Sequence, residues 1–161
     1  MKKKRVYIDT NIFIYVALKH PDFYKKCYDV LEMLVSKELI GYGSHLVLFE
    51  LFGALSEIDV EAAYEAVSSY LDLPLTMLEL NRETFNYARE IAVLSKVTYD
   101  SLHAALIAQN GIEIVISEDL EDWSKILKIW PKVKERLRVE DLTLISPTKG
   151  VVEARWNSQE A

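Results

Sequence analysis

The stretch that most restricts the fold lies at the start of the chain, in residues 5–11. Residues 6–8 (Val-Tyr-Ile) form a β-branched and aromatic run that stops abruptly at Asp9, a pattern typical of a short buried strand. An apolar segment at 11–18 follows directly and predicts a helix. Ligands in open α/β sheets usually bind at the carboxyl ends of strands, so Asp9 is a candidate functional residue. Asp is also a good helix N-cap, and a cap is the alternative interpretation of Asp9.

The rest of the chain repeats this alternation of buried strands and amphipathic helices. Further strands are predicted at about 39–44, 75–80, 112–116 and 142–145, after a first strand at about 4–8. Helices are predicted from Pro21 to about Glu38, at 45–56 and 60–71, after a cap at Asn81, and at 99–109, with a break at Trp130-Pro131. The pattern predicts an α/β fold, a three-layer α/β/α sandwich around a mainly parallel five-stranded sheet.

Length and composition indicate one soluble domain. The chain has 161 residues, of which 50% are hydrophobic, enough for one well-packed core. Residues 1–146 are predicted to form this domain and residues 147–161 a polar tail, an arm or disordered. Neither a membrane span nor a signal-peptide core is recognisable, and Cys27, the single cysteine, is expected to be a core residue. We therefore expect a cytoplasmic protein without membrane contact.

The charge balance bears on nucleic-acid binding. The formal net charge is −6, which argues against binding nucleic acid by overall electrostatic attraction. Divalent cations bound by carboxylates would offset part of this charge locally. The basic runs at 2–5 and 132–138 are interpreted as a solvated terminus and a solvated helix face.

Four carboxylates stand out because each is isolated in apolar sequence: Asp9, Glu50, Asp100 and Asp119. Each has a structural alternative, since the three aspartates are potential caps and Glu50 a solvent-facing or ion-paired residue. If the first and fourth strands are neighbours, Asp9 and Asp119 face each other across a crevice that the other two residues complete. An oxygen-rich ring of this kind repels itself unless a hard cation binds it, which favours Mg²⁺ or Mn²⁺ over Zn²⁺.

At these residues the sequence resembles the PIN-domain family of metal-dependent ribonucleases, especially its VapC-type toxin branch. The resemblance spans about residues 4–146 and is carried by Glu50 and three motifs: Val-Tyr-Ile-Asp-Thr-Asn (6–11), Tyr-Asp-Ser-Leu-His-Ala-Ala-Leu-Ile-Ala (99–108) and Ile-Val-Ile-Ser-Glu-Asp-Leu (114–120). It implies a parallel five-stranded sheet, hydrolysis of RNA phosphodiester bonds of the two-metal type, a homodimer and, for a toxin, a small antitoxin partner.

The resemblance also assigns roles residue by residue. Asp9, Asp100 and Asp119 would bind one Mg²⁺ or Mn²⁺, and a second ion near Glu50 would stabilise the leaving oxygen. The polar residues Thr10, Asn11 and Ser117 would support these ligands, with Asn11 as a helix cap the alternative. Glu118 and Asp122 are adjacent carboxylates that would share or replace the role of Asp119. His103, one turn after Asp100, is either within reach of the site or a core or surface histidine.

Three other classes of protein compete with this interpretation. A phosphatase of the haloacid-dehalogenase type needs a second Asp two residues after the first, where this chain has Asn11. A phospho-receiver domain needs an acceptor Asp after the middle strand and a Lys after the last, and neither 78–80 nor 146–147 supplies one. The third alternative, a catalytically inactive PIN-like module that binds RNA or protein, stays open. The favoured prediction is a metal-dependent endoribonuclease, the toxin of a toxin–antitoxin pair.

Overall fold

The structure is a computed structural model that describes residues 3–153, in which one or two helices separate successive strands up to a final pair of adjacent strands. The strands are β1 (Lys4–Ile8), β2 (Leu39–Ser44), β3 (Leu75–Leu78), β4 (Ile114–Ile116), β5 (Thr143–Ser146) and β6 (Gly150–Val152). The helices are α1 (Thr10–Ala17), α2 (Tyr24–Val35), α3 (His45–Ser56), α4 (Val60–Asp72), α5 (Arg82–Ser95), α6 (Tyr99–Gln109) and α7 (Leu120–Leu137). No helix in this part of the chain is long and apolar enough to cross a bilayer.

The strands form one sheet in the order β3-β2-β1-β4-β5-β6. All neighbours are parallel except β5 and β6, which pair antiparallel. The predicted mainly parallel α/β sheet is therefore confirmed, but it has six strands where five were predicted. The sixth strand was missed because it is a three-residue hairpin partner of β5 inside polar sequence, entered through Gly150 at a φ of 82°. Of the predicted tail, residues 154–161 lie outside the described residues.

Helices cover both faces of the sheet, and β1 contributes to both cores. Val6 and Ile8 point into one core with buried residues of α1, α2, α3 and α4. Tyr7, on the opposite face, joins a second core with α5, α6 and α7. This alternation follows from the two-residue period of a strand. It places the carboxyl end of β1 at the centre of the molecule, between the two layers of helices.

Two proline-based predictions were wrong. Pro21 does not begin the second helix, since α2 starts at Tyr24 after a turn in which the Asp22 amide donates to His20 Nδ1 at 3.1 Å. Pro131 does not break the chain but lies inside α7. The helix continues because its buried apolar residues recur with helical spacing on both sides of the proline, and their packing outweighs the lost backbone hydrogen bond. These buried residues are Trp123, Ile126, Leu127, Trp130 and Val133.

Cys27 lies fully buried in α2, as expected of a core residue. Burial raises the pKa of its thiol to about 12, and the charge of Glu118 acts in the same direction. We expect the folded protein at pH 8 to be inert to a thiol-specific chromogenic reagent, because the thiolate is the reactive form. After unfolding in guanidinium chloride, one thiol per chain should react. Reaction of the folded protein at the rate of the unfolded chain would contradict this prediction.

Candidate metal centre

The candidate site lies where the strand order reverses, between β1 and β4. These strands are parallel neighbours with Ile8 opposite Ile116, and the Asp9 amide donates to the Ile116 carbonyl at 3.0 Å. The loop at 117–119 follows β4 directly. The first and fourth strands are therefore neighbours, as the predicted site requires, and the switch point between them is the usual ligand position of an open parallel sheet.

Asp9 is buried, with 3% of its surface exposed, and its carboxylate is held on both oxygens. Oδ2 accepts hydrogen bonds from Ser117 Oγ at 2.8 Å, Trp123 Nε1 at 2.8 Å and Asn11 Nδ2 at 3.1 Å. Oδ1 accepts one from the Thr10 amide at 2.8 Å, so Asp9 also caps α1. With Oδ2 surrounded by donors, Oδ1 is the oxygen available to a ligand. The contact with Trp123 was not predicted, because the periodicity of α7 assigns this residue only to the core.

Asn11 and Ser117 tie α1 to the loop after β4. The Asn11 amide group donates to Ser117 Oγ at 2.9 Å, and Asn11 Oδ1 accepts from the Glu118 amide at 3.0 Å. Ser117 Oγ also accepts from the Asp119 amide at 3.0 Å. Asn11 therefore joins the first turn of α1 to the loop after β4, and the cap of α1 is Asp9 instead. The side chains of Asn11 and Ser117 both donate to Oδ2 of Asp9, and their role in supporting a metal ligand stays a prediction.

Asp100 belongs to two groups of potential metal ligands, and within each group the ligand atoms lie within 4.8 Å of one another. One group is Asp9, Asp100 and His103, and the other is Asp100, Asp119 and Asp122. Burial and, after it, the negative charges of Asp9 and Asp119 together raise the pKa of Asp100 to about 8, against the opposing charge of His103. The pKa of Asp119 is also raised, by burial and then by the charge of Asp122, against the hydrogen bond from the Asp122 amide. Crowded carboxylate oxygens that repel one another fit a hard divalent cation, so this donor set suits Mg²⁺ or Mn²⁺.

Glu50 lies beside these two groups and belongs to neither of them. Its Oε1 accepts hydrogen bonds from Thr10 Oγ1 at 2.9 Å and from His103 Nε2 at 2.5 Å. Burial opposes ionisation of Glu50, but the hydrogen bond and charge of His103 and the bond from Thr10 lower its pKa overall. Of the four predicted carboxylates, the structure thus gathers Asp9, Asp100 and Asp119 and joins Glu50 to them through His103 and Thr10.

Glu118 and Asp122, the two further carboxylates near Asp119 in the sequence, differ in what they contact. Glu118 accepts hydrogen bonds from Ser146 Oγ at 3.0 Å and from the Thr148 amide at 2.8 Å, so it anchors the turn between β5 and β6. Asp122 lies in the group around Asp100 and Asp119, although Lys125 approaches it at 3.8 Å. The geometry therefore favours Asp122 over Glu118 as an additional ligand.

Together these features define an α/β protein with a carboxylate cluster at the switch point of a parallel sheet. The sequence model of the PIN domain matches residues 6–129, and the chain belongs to this family. The expected family membership is confirmed. No curated protein matches the sequence.

Solved structures with the same fold include proteins of three bacteria. VapBC2 of Rickettsia felis, bound to a DNA fragment from its promoter, is 19% identical with a TM-score of 0.62, over 88% of this chain and 98% of that chain. DNA-bound VapBC of Salmonella typhimurium is 18% identical with a TM-score of 0.62, over 89% and 98%. VapC20 of Mycobacterium tuberculosis, a sarcin-ricin loop cleaving toxin, is 17% identical with a TM-score of 0.61, over 74% and 93%. At these identities the matches establish the fold.

The charge repulsion around Asp100 leads to a prediction for the stability of the metal-free protein. A carboxyl group whose pKa is raised from 3.8 to about 8 by folding destabilises the fold increasingly as the pH rises through that interval. We therefore expect Asp100→Asn to raise the free energy of unfolding, and to raise it more at pH 8 than at pH 5. Urea unfolding with EDTA present measures the difference. Asp72→Asn at the exposed end of α4 is the control, expected to change stability by less than about 0.5 kcal/mol; an equal effect of both variants would contradict the prediction.

Proposed function

We propose that this protein is a metal-dependent endoribonuclease that hydrolyses RNA phosphodiester bonds. The observation that carries the proposal is the convergence of Asp9, Asp100 and Asp119 on one crevice at the carboxyl edge of the sheet. Membership of the PIN domain family supports it, as does the likeness to VapC20, a sarcin-ricin loop cleaving toxin. The competing function is a catalytically inactive module that binds RNA or protein, and cleavage assays distinguish it from a nuclease.

The proposed ligands are Asp9 through Oδ1, Asp100 and Asp119, with Mg²⁺ or Mn²⁺ as the cation. When bound, such an ion supplies charge stabilisation for the phosphate and acidifies a coordinated water. The chain's own residues hold the ligands in place: Ser117 and Asn11 donate to Oδ2 of Asp9, which leaves Oδ1 as the oxygen for the cation. Glu50, held by Thr10, offers a further carboxylate beside the cluster to orient a water or a second cation.

Removal of the charge on one ligand tests the catalytic role. We expect Asp9→Asn and Asp100→Asn each to lower Mn²⁺-dependent cleavage of single-stranded RNA by at least about a hundredfold, because an amide is a poor ligand for a hard cation. Cleavage is measured on end-labelled RNA, with folding checked by circular dichroism. Asp72→Asn is the matched control and should cleave like the wild type.

A binding measurement accompanies the activity assay. Mn²⁺ should raise the melting temperature of the wild type and of Asp72→Asn, but not that of Asp100→Asn, because only a ligand that binds the native state stabilises it. Unchanged cleavage by both site variants would overturn the nuclease proposal. RNA binding by the wild type without any cleavage would favour the binding module instead.

We propose further that the nuclease is the cytoplasmic toxin of a toxin–antitoxin pair and forms a homodimer. The structural neighbours from Rickettsia felis and Salmonella typhimurium are VapBC complexes. A groove of about 310 Å³ between α1, α2, α3 and α4 is lined mainly by apolar residues, among them Phe13, Val16, Leu31 and Leu55. Exposed apolar side chains on α3 and α4, such as Phe49 and Tyr64, extend the contact surface available to a small antitoxin or a second copy.

Growth assays test the toxin assignment. Expression of the wild type in a bacterial host should arrest growth, and Asp100→Asn at the same protein level should not, because arrest requires cleavage. Co-expression of the small protein encoded next to this gene should relieve the arrest and co-purify with the nuclease. Growth unaffected by the active enzyme would contradict the toxin role and favour a housekeeping nuclease.

A further inference from the structure

Both ring nitrogens of His103 are hydrogen-bonded inside the fold. Nε2 contacts Glu50 Oε1 at 2.5 Å, and Nδ1 contacts the Tyr7 hydroxyl at 2.7 Å. Only 1% of the residue's surface is exposed. The two anchors lie on different sides of the ring, so they fix both its position and its plane. The nuclease function proposed above assigns no role to this histidine.

For a neutral His103 ring, the hydrogen bonds of this network have one consistent direction. An ionised carboxylate can only accept, so Nε2 of His103 carries the hydrogen that Glu50 receives. In this tautomer Nδ1 accepts from the Tyr7 hydroxyl, which is 2.8 Å from Ser44 Oγ and accepts from it in turn. Tyr7 and Ser44 are fully buried. A chain of four aligned groups thus runs from the end of β2 through β1 and α6 to Glu50.

Glu50 has few other restraints. It lies on an apolar helix between Phe49 and Phe52, which are both exposed, and 36% of its own side chain is exposed. A glutamate in that position loses side-chain entropy when it is held in one conformation. Within residues 3–153, its hydrogen bonds from Thr10 and His103 both end on Oε1. Oε2 therefore remains available for a water, a cation or a phosphate-bound group.

We propose that His103 is a positioning residue that fixes the carboxylate of Glu50 beside Asp9 and so orients its free oxygen for the reaction. Nε2 of His103 is 3.9 Å from Oδ1 of Asp9, so the ring lies between the two acids and directs an N–H group toward one of them. Since both nitrogens already have partners, the ring acts through Glu50 and not as a metal ligand. This role rests on the nuclease function proposed above.

Kinetics of RNA cleavage test whether His103 acts through Glu50. His103→Leu should lower kcat about tenfold to a hundredfold with little change in KM, and His103→Gln should recover part of the loss because its amide can still donate. The double variant His103→Leu/Glu50→Gln should be no slower than Glu50→Gln alone. His45→Leu, at the exposed start of α3, is the matched control with unchanged kcat. Multiplicative losses in the double variant would overturn the proposal.

Cation binding separates positioning from ligation. Calorimetric titration of Mn²⁺ into folded His103→Leu should give an affinity within about threefold of the wild type, because Asp9, Asp100 and Asp119 are untouched. A loss of tenfold or more would show that His103 ligates the cation and would overturn the positioning role. If His103→Leu does not fold, Tyr7→Phe replaces it in both assays, since it removes only the hydroxyl that anchors Nδ1.

A measurement without RNA makes failure of this role distinguishable from failure of the nuclease function. In ¹⁵N-histidine-labelled protein, the Nε2-bound hydrogen of His103 should give a slowly exchanging downfield signal. Glu50→Ala should abolish it, whereas Glu57→Ala at the exposed end of α3 should not. If the wild type cleaves no RNA, the nuclease proposal fails, and loss of this signal in Glu50→Ala still supports the contact. A signal that survives Glu50→Ala overturns it.

Discussion

Mutual repulsion among Asp9, Asp100 and Asp119 is the constraint on which the functional edge of this fold depends. Side chains on separate loops would relieve such repulsion by turning into water. Here they stay together because each is attached at an element boundary that the core holds fixed: the end of β1, the first turn of α6 and the start of α7. The local cost is visible in the raised pKa values of Asp100 and Asp119, which burial and neighbouring charges both increase.

The fold partly compensates this negative charge without neutralising it. α1 and α7 are capped by Asp9 and Asp119, and Asp100 is in the first turn of α6, so three helix N-termini carry a carboxylate of the cluster. Helix N-termini favour negative charge through their free amides and their dipole. Among residues 3–153, no lysine or arginine forms a salt bridge with any of the three acids. The cluster therefore keeps the negative potential that a divalent cation needs.

Features of the fold and of the candidate site were predictable where a local sequence pattern specifies them, and not where tertiary contacts do. β1 and β4 were predictable because apolar runs end abruptly in polar residues, and the four acids because each is isolated in apolar sequence; both are local patterns. β6 was missed because three residues become a strand only through pairing with β5. Pro131 was misread because the packing of Trp130 and Val133, which decides the matter, is tertiary. The roles of the acids as metal ligands remain predictions.

Contacts between distant elements were the least predictable, and His103 shows why. α6 is buried on nearly all sides, so no periodicity distinguishes the face that carries this ring from the faces that pack alanines. Its partner Tyr7 reads in sequence as one more strand residue of the core. Only the parallel pairing of β1 with β2 brings the Tyr7 hydroxyl to Ser44.

The same pairing explains a requirement in β2 and connects site assembly with folding. A side chain at Gly43 would overlap the Tyr70 hydroxyl, which accepts the hydrogen bond of the Ser44 amide. Tyr70 belongs to the core on one face of the sheet, and Tyr7 to the core on the other. Ser44 is therefore positioned by Tyr70 of one core, and hydrogen bonds connect it through Tyr7 and His103 to Glu50 beside the acids. Because these contacts join both cores, the arrangement around Glu50 is complete only when both helical layers have packed against the sheet.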